Sequence, residues 1–219
     1  SKDGTHSWEI NPDKIAFPEG RTWKDYVREN QLEITCGEAP YLVSRYDTTT
    51  GTFIPVEKRI GLLDRKLRIV SENTTTTREW LEAAKDAYRS TYAYEWQGDS
   101  LLLAREALLL SFIEYYRNKF GKDPQIKSIN HIAYIISWNV WQMDGLKGVV
   151  PDSCGERVRM EPSLFGTIER REPCEGCLKN DQTKHNGIYC IIKDWRATDK
   201  ATGKKGKRIR FIDLINEEA

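Results

Sequence analysis

Apolar and polar positions alternate along this chain in two periods, and the changes of period mark its elements. "TWKDYVREN" (Thr22 to Asn30) reads as a short helix with Thr22 as its cap, and "LEIT" after it as a short strand. "TTTTREWLEAAKDAYRSTY" has Thr76 and Glu79 at capping-box spacing, which predicts a helix from about Arg78 to Arg89. The aromatic run "YAYEW" predicts a strand. "GDSLLLAREALLLSFIEYYRNKFGKDP" gives the strongest helical pattern, started by Asp99 or Ser100 and stopped by Gly121 and Pro124. "IKSINHIAYII" predicts a further helix, with His131 as a core residue, and "SWNVWQM" a third strand ending at Asp144. Strands alternating with helices predict an α/β sheet, and the expected division is residues 1–146 as an α/β domain and 147–219 as a second segment.

After Gly145 the texture changes. The next stretch carries four Cys among many turn formers and predicts an irregular insertion, and the tail ends in a strand-like run, "RIRFIDL". "PCEGC" sets Cys174 and Cys177 at zinc-knuckle spacing, with His185, Cys190 and Cys154 available to complete four ligands. The expected metal set is Cys154, Cys174, Cys177 and Cys190, holding a structural zinc; a loop of free thiols is the alternative.

Composition narrows the class. The chain has 219 residues, 31% charged and 39% hydrophobic, enough for one substantial core. Its net charge of +1 excludes a global basic field, although "DKATGKKGKRIR" is locally basic enough to meet a phosphate. No apolar run reaches the ~18 residues of a membrane span, and no signal peptide is legible in "SKDGTHSWEI". Five Cys, an odd number unevenly spread, fit reduced thiols, so the expected compartment is the cytoplasm.

Candidate chemistry gathers at the predicted strand ends. "LEITCGEAPYL" follows a strand with a small-residue turn, which brings backbone amides toward a polar ligand. Glu95 closes the second strand, where a carboxylate can accept from both hydroxyls of a ribose, and Asp144 closes the third, before Gly145. Cys36 reads as a small packing residue, and Tyr41, Tyr46, Tyr94 and Trp96 read as core by default.

This ordered set resembles the S-adenosylmethionine-binding half of adenine-specific DNA methyltransferases of restriction-modification systems. Leu32, Glu33, Cys36, Gly37 and Leu42 match that family's first loop, approximately "LEPxCGxGxFL", with Tyr41 for its Phe and Ala39 for its second Gly. "YAYEWQGDSLLLAREALL" is similar to "YGIDIxxxxLxLARxNLL", and "NVWQMDGL" to "NIxxGDxL". "GTHSWEINPDKIAFPEG" and "CIIKDWR…RFIDL" are similar to flanking segments of such enzymes. The resemblance implies a Rossmann-like class I methyltransferase sheet, incomplete here. It implies a cofactor site formed by Glu33, Thr35, Cys36, Gly37 and Ala39 on the methionine side. Glu95 would hold the ribose, with Trp96 beside it, and Asp144 the adenine amine.

The family's catalytic Asn-Pro-Pro-Tyr motif is missing, since none of the eight prolines is followed by another. That motif holds the flipped adenine against the methyl-sulfonium, so no catalytic residue is expected in this chain. The chain ends at "FIDLINEEA", about where the strand carrying the motif would begin. The expectation is a cofactor-binding subunit or fragment whose partners are DNA and a second chain carrying the motif and target recognition. The alternative from another class is a non-enzymatic phage or mobile-element protein, a restriction or defence antagonist that reuses the fold.

Overall fold

The computed structural model describes residues 13–164 and 166–216. Residues 4–12 of the first flanking segment therefore lie outside the described residues.

The N-terminal part builds a three-stranded sheet and its helices. Helix α1 (Trp23–Arg28) starts at Thr22, whose hydroxyl accepts from the Asp25 amide while the Asp25 carboxylate accepts from the Thr22 amide. Strand β1 (Gln31–Glu33) follows, then α2 (Leu62–Asn73) and α3 (Thr77–Arg89), the latter capped by the predicted Thr76–Glu79 box. Strand β2 (Thr91–Glu95) leads into α4 (Gly98–Phe120), which ends on Gly121 at φ 66°. Helix α5 (Ile126–Asn139) runs directly into β3 (Val140–Gln142). The sheet order is β1-β2-β3, all parallel, with Leu32 opposite Tyr92 and Tyr94 opposite Trp141. The chain is thus mixed α/β, and among the described residues no helix is long and apolar enough to cross a membrane.

Several expectations change. Helix α2 was not predicted, and α5 takes "SWN", leaving β3 three residues long. The insertion is not wholly irregular: β4 (Arg157–Ser163) and β5 (Gly166–Glu172) form an exposed antiparallel hairpin, followed by the short α6 (Glu175–Lys179). A second hairpin pairs β6 (Ile191–Thr198) with β7 (Lys205–Arg210). "RIRFIDL" is divided, its first half in β7 and Phe211–Asn216 in helix α7. His131 is exposed, its ring against Arg89, rather than in the core.

One apolar cluster joins both parts of the chain. Trp80, Phe112 and Tyr116 meet at its helical side, and Cys190, Ile192, Trp195 and Phe211 complete it from the C-terminal segment. The polar side chain of Asn139 is buried there because it is satisfied: its amide donates to the carbonyls of Tyr88, Arg89 and Thr91, and its oxygen accepts from Trp195.

The two sides of the sheet differ. Outward of β3, Arg105 donates to the Val140 carbonyl and the Cys190 thiol to that of Gln142. At β1, the Gln31 amide donates to the Ser90 carbonyl, so the backbone of Leu32 points to the other edge, where no strand pairs among the described residues; the side chains of Leu32 and Ile34 are exposed.

Candidate functional site

Two constellations stand out. The first lies where the three parallel strands end. The Cys36 amide donates to the Tyr94 carbonyl at 3.0 Å, carrying the β1–β2 ladder beyond the strand before the chain turns away. The turn uses left-handed backbone at every second residue: Thr35 (φ 49°), Gly37 (φ 54°) and Ala39 (φ 64°). For a β-branched residue such as Thr35 this is a strained conformation, and strain of this kind collects at functional loops.

Glu95 organises the same edge. Its Oε2 accepts from the Gly37 amide at 2.7 Å, and its Oε1 from the amides of Trp96 and Gln97 at 2.8 and 3.1 Å. Burial works against the charged form, but the three amides outweigh it and hold the carboxyl below its usual range. Gln142, at the end of β3, donates from its side chain to the Trp96 carbonyl, so the third strand is tied to the turn after the second.

The other predicted residues fall as follows. Glu33 ends β1, half-buried, and burial raises its pKa. Cys36 is buried, and its thiol is pushed up to about 12 by burial and by the charges of Glu95 and Glu33, so it packs rather than attacks. Ala39 is fully buried and offers the loop only its backbone. Asp144 is buried beyond β3, and its Oδ1 accepts from the amides of Leu146 and Lys147 within its own turn. The aromatic residues expected in the core are largely outside it: Tyr41, Tyr46 and Trp96 are exposed, while Tyr94 packs against Trp141 and Phe211.

The second constellation is Cys154, Cys174, Cys177 and His185, whose ligand atoms all lie within 4.8 Å of one another. Cys154 Sγ is 3.4 Å from Cys174 Sγ and 3.6 Å from Cys177 Sγ. His185 Nδ1 lies 3.5, 3.7 and 3.6 Å from the sulfurs of Cys154, Cys174 and Cys177. Zinc bonds of ~2.3 Å to sulfur and ~2.05 Å to nitrogen give a tetrahedron with edges of roughly 3.5–3.8 Å. These four side chains therefore can hold a metal such as zinc, in a closed set with no position left for water.

Local sequence explains the placement. Cys174 precedes α6 and Cys177 lies within it, so one helical turn brings the two sulfurs together. Gly176 has to be glycine, because a Cβ there would lie 2.7 Å from the His185 amide nitrogen and 2.8 Å from its Nδ1. The Asn186 amide donates to Cys174 Sγ at 3.3 Å, the kind of outer bond that orients a metal-binding thiolate. Burial opposes the Cys174 thiolate, but amide and neighbouring side-chain hydrogen bonds bring the thiol down to about 6.

The fourth member is His185 and not the predicted Cys190. The Cys190 thiol is buried in the main core, where it donates to the Gln142 carbonyl, and burial raises it to about 11. The spacing Cys-x2-Cys followed by a His eight residues on was the signal for His185. Comparison of the chain with models of protein families, with curated proteins and with solved structures matched none of them.

Proposed function

We propose that this chain is the S-adenosylmethionine-binding part of an adenine-specific DNA methyltransferase of a restriction-modification system, with a Rossmann-like sheet. A second chain would supply the catalytic Asn-Pro-Pro-Tyr motif and target recognition. The observation that carries the reading is the bond from the Gly37 amide to Glu95 at the carboxyl edge of a parallel sheet. It joins the small-residue loop after the first strand to the acid ending the second, in the region where open α/β sheets bind ligands. Glu95 Oε2 accepts from the Gly37 amide and retains acceptor capacity for a ribose hydroxyl. Trp96, exposed beside it, offers a ring to an adenine.

Two further features agree with completion in trans. Among the described residues β1 is the outer strand of its sheet, an edge that another strand could join. The β6–β7 hairpin carries eight Lys and Arg against two Asp between Ile191 and Arg210, a local field suited to DNA phosphates. The Cys3His set is read as a structural zinc site, because soft thiolates favour zinc and a closed set leaves the ion no catalytic position.

The test is reconstitution. Chains carrying the missing motif, taken from the same genomic neighbourhood, are mixed with this one, and transfer of labelled methyl groups to DNA is followed. Transfer that needs both chains supports the reading; a partner that methylates equally well alone refutes it.

One observation favours a non-enzymatic reading, that of a binding protein reusing the fold as a restriction or defence antagonist. Glu95 and Asp144 both already accept bonds from their own chain, and after β1 Ile34, Tyr41, Tyr46 and Phe53 are each exposed, the rings of Tyr46 and Phe53 meeting edge to face. Tight capture of a restriction enzyme with no cofactor affinity would decide for it.

A further inference from the structure

The metal set joins two stretches that also meet the end of β3. One runs from Asp144 to Cys154 and the other from His185 to Cys190. The Asp144 amide donates to the Val149 carbonyl at 2.8 Å and closes a turn, and Val149 in turn bridges to Tyr189. The Val150 amide donates to the Ile188 carbonyl at 2.8 Å, and the Cys190 amide to that of Gly148 at 3.1 Å. Nearer the metal set, the Ile188 amide donates to Ser153 Oγ at 3.0 Å. The Asn186 side chain bonds Gly155 in both directions, at 2.7 and 3.2 Å. A Cβ on Gly187 would lie 2.9 Å from both Cys154 Cβ and Ser153 Oγ, so the two stretches are in close contact.

A ladder this short is weak by itself. Val149 and Cys190 are buried, but Leu146 and Ile188 are exposed, and so short a pair of extended segments gains little from its own pairing. Its far end is tied by the Ser153 and Asn186 bonds, and a metal shared by Cys154 and His185 would lock that end.

We propose that zinc bound by Cys154, Cys174, Cys177 and His185 is a clamp that sets the register of these two stretches and thereby fixes the Asp144 turn at the end of β3. The clamp rests on the metal reading of the site and is independent of the cofactor reading. Its consequence is that one wall of the sheet's carboxyl edge, some ten residues before the first ligand, is ordered only in the metal-loaded protein.

Hydrogen exchange read by mass spectrometry tests this on the full reduced chain, loaded with one equivalent of zinc or stripped with a chelator. Amides of residues 146–150 and 188–190 should exchange slowly with zinc and about tenfold or more faster without it. Helices α3 and α4 should keep their protection, and added zinc, but not magnesium, should restore the turn. Cys190→Ala should still bind one zinc, whereas Cys177→Ala, which removes a direct ligand, should lose stoichiometric binding. Failure to bind zinc stoichiometrically overturns the metal reading itself. Stoichiometric zinc with unchanged exchange at residues 146–150 overturns the clamp alone. Loss of protection throughout α3 and α4 also overturns it, since the ion would then support the whole fold.

Discussion

Replacing Glu95 with Gln removes one charge and almost no volume, so it isolates what the carboxylate does for the loop. In the native protein its two oxygens accept from three backbone amides, those of Gly37, Trp96 and Gln97. Hydrogen bonds to a charged acceptor each contribute about 1.5–3 kcal/mol. Gln can keep two of them as weaker neutral bonds through its oxygen. Its NH2 group must then face the Gly37 N–H, donor against donor, at a residue only 9% exposed. One charge-assisted bond lost and one donor left unsatisfied together predict a destabilisation of about 2–4 kcal/mol. The pH dependence has a definite sign. The folded carboxyl lies below its ordinary value of 4.5, so its contribution is complete above that pH and is lost as pH falls through the folded value. Urea unfolding at a series of pH values, for both proteins, reads this directly. The gap should be full at pH 7 and close in acid. A variant as stable as the parent at pH 7, or a gap that does not change down to pH 3, would refute the role assigned to Glu95.

Three further outcomes are expected. Lys66 is fully buried, donates to the carbonyls of Glu29 and Ser90 and to Ser90 Oγ, and is lowered by burial from 10.5 to about 7. The unfolded chain therefore binds the proton more tightly between those values, stability rises with pH across that window by up to about 5 kcal/mol, and Lys66→Met should remove the rise in denaturant titrations. Gly61→Ala would place a Cβ 2.3 Å from the Leu42 carbonyl oxygen, so it should cost about 2–3 kcal/mol in urea unfolding; an unchanged midpoint would contradict this. Glu114 pairs with Arg45 and with the completely buried side chain of Arg59, and Glu114→Ala should cost about 3–5 kcal/mol by leaving those charges unpaired, measured by thermal unfolding.

What the sequence made legible was the part governed by local signals. Thr22 and Thr76 announce helices through side chains that cap them, and Gly121 ends α4 in the left-handed conformation its lack of a Cβ permits. Helix α2 escaped notice because Gly61, its N-cap, has no capping side chain, and because Asp64 and Lys66 are buried, which breaks the apolar stripe. The β4–β5 hairpin is exposed on both faces, so its strands show no contrast between inside and outside. Asn139 looked like part of a strand, but its side chain is taken up by the carbonyls at the end of α3, which favours a longer α5. At the strand ends, the sequence located the acids but not their partners, since the bond from Gly37 to Glu95 spans 58 residues. In the metal set, three cysteines were identified, and His185 stood among the candidates for the fourth place that Cys190 was given. The spacing after Cys177 points to His185, but the choice between it and Cys190 is decided by Cys190 being drawn into the main core, a tertiary outcome that spacing alone does not settle.

The proposed function requires the carboxyl edge of the β1-β2-β3 sheet to bind S-adenosylmethionine. Calorimetric titration of the zinc-loaded chain with S-adenosylmethionine and S-adenosylhomocysteine tests it most directly. Saturable binding at one site per chain, lost in Glu95→Ala, is the expected result. A well-folded sample giving no saturable heat, alone or with the candidate catalytic chain added, would contradict it.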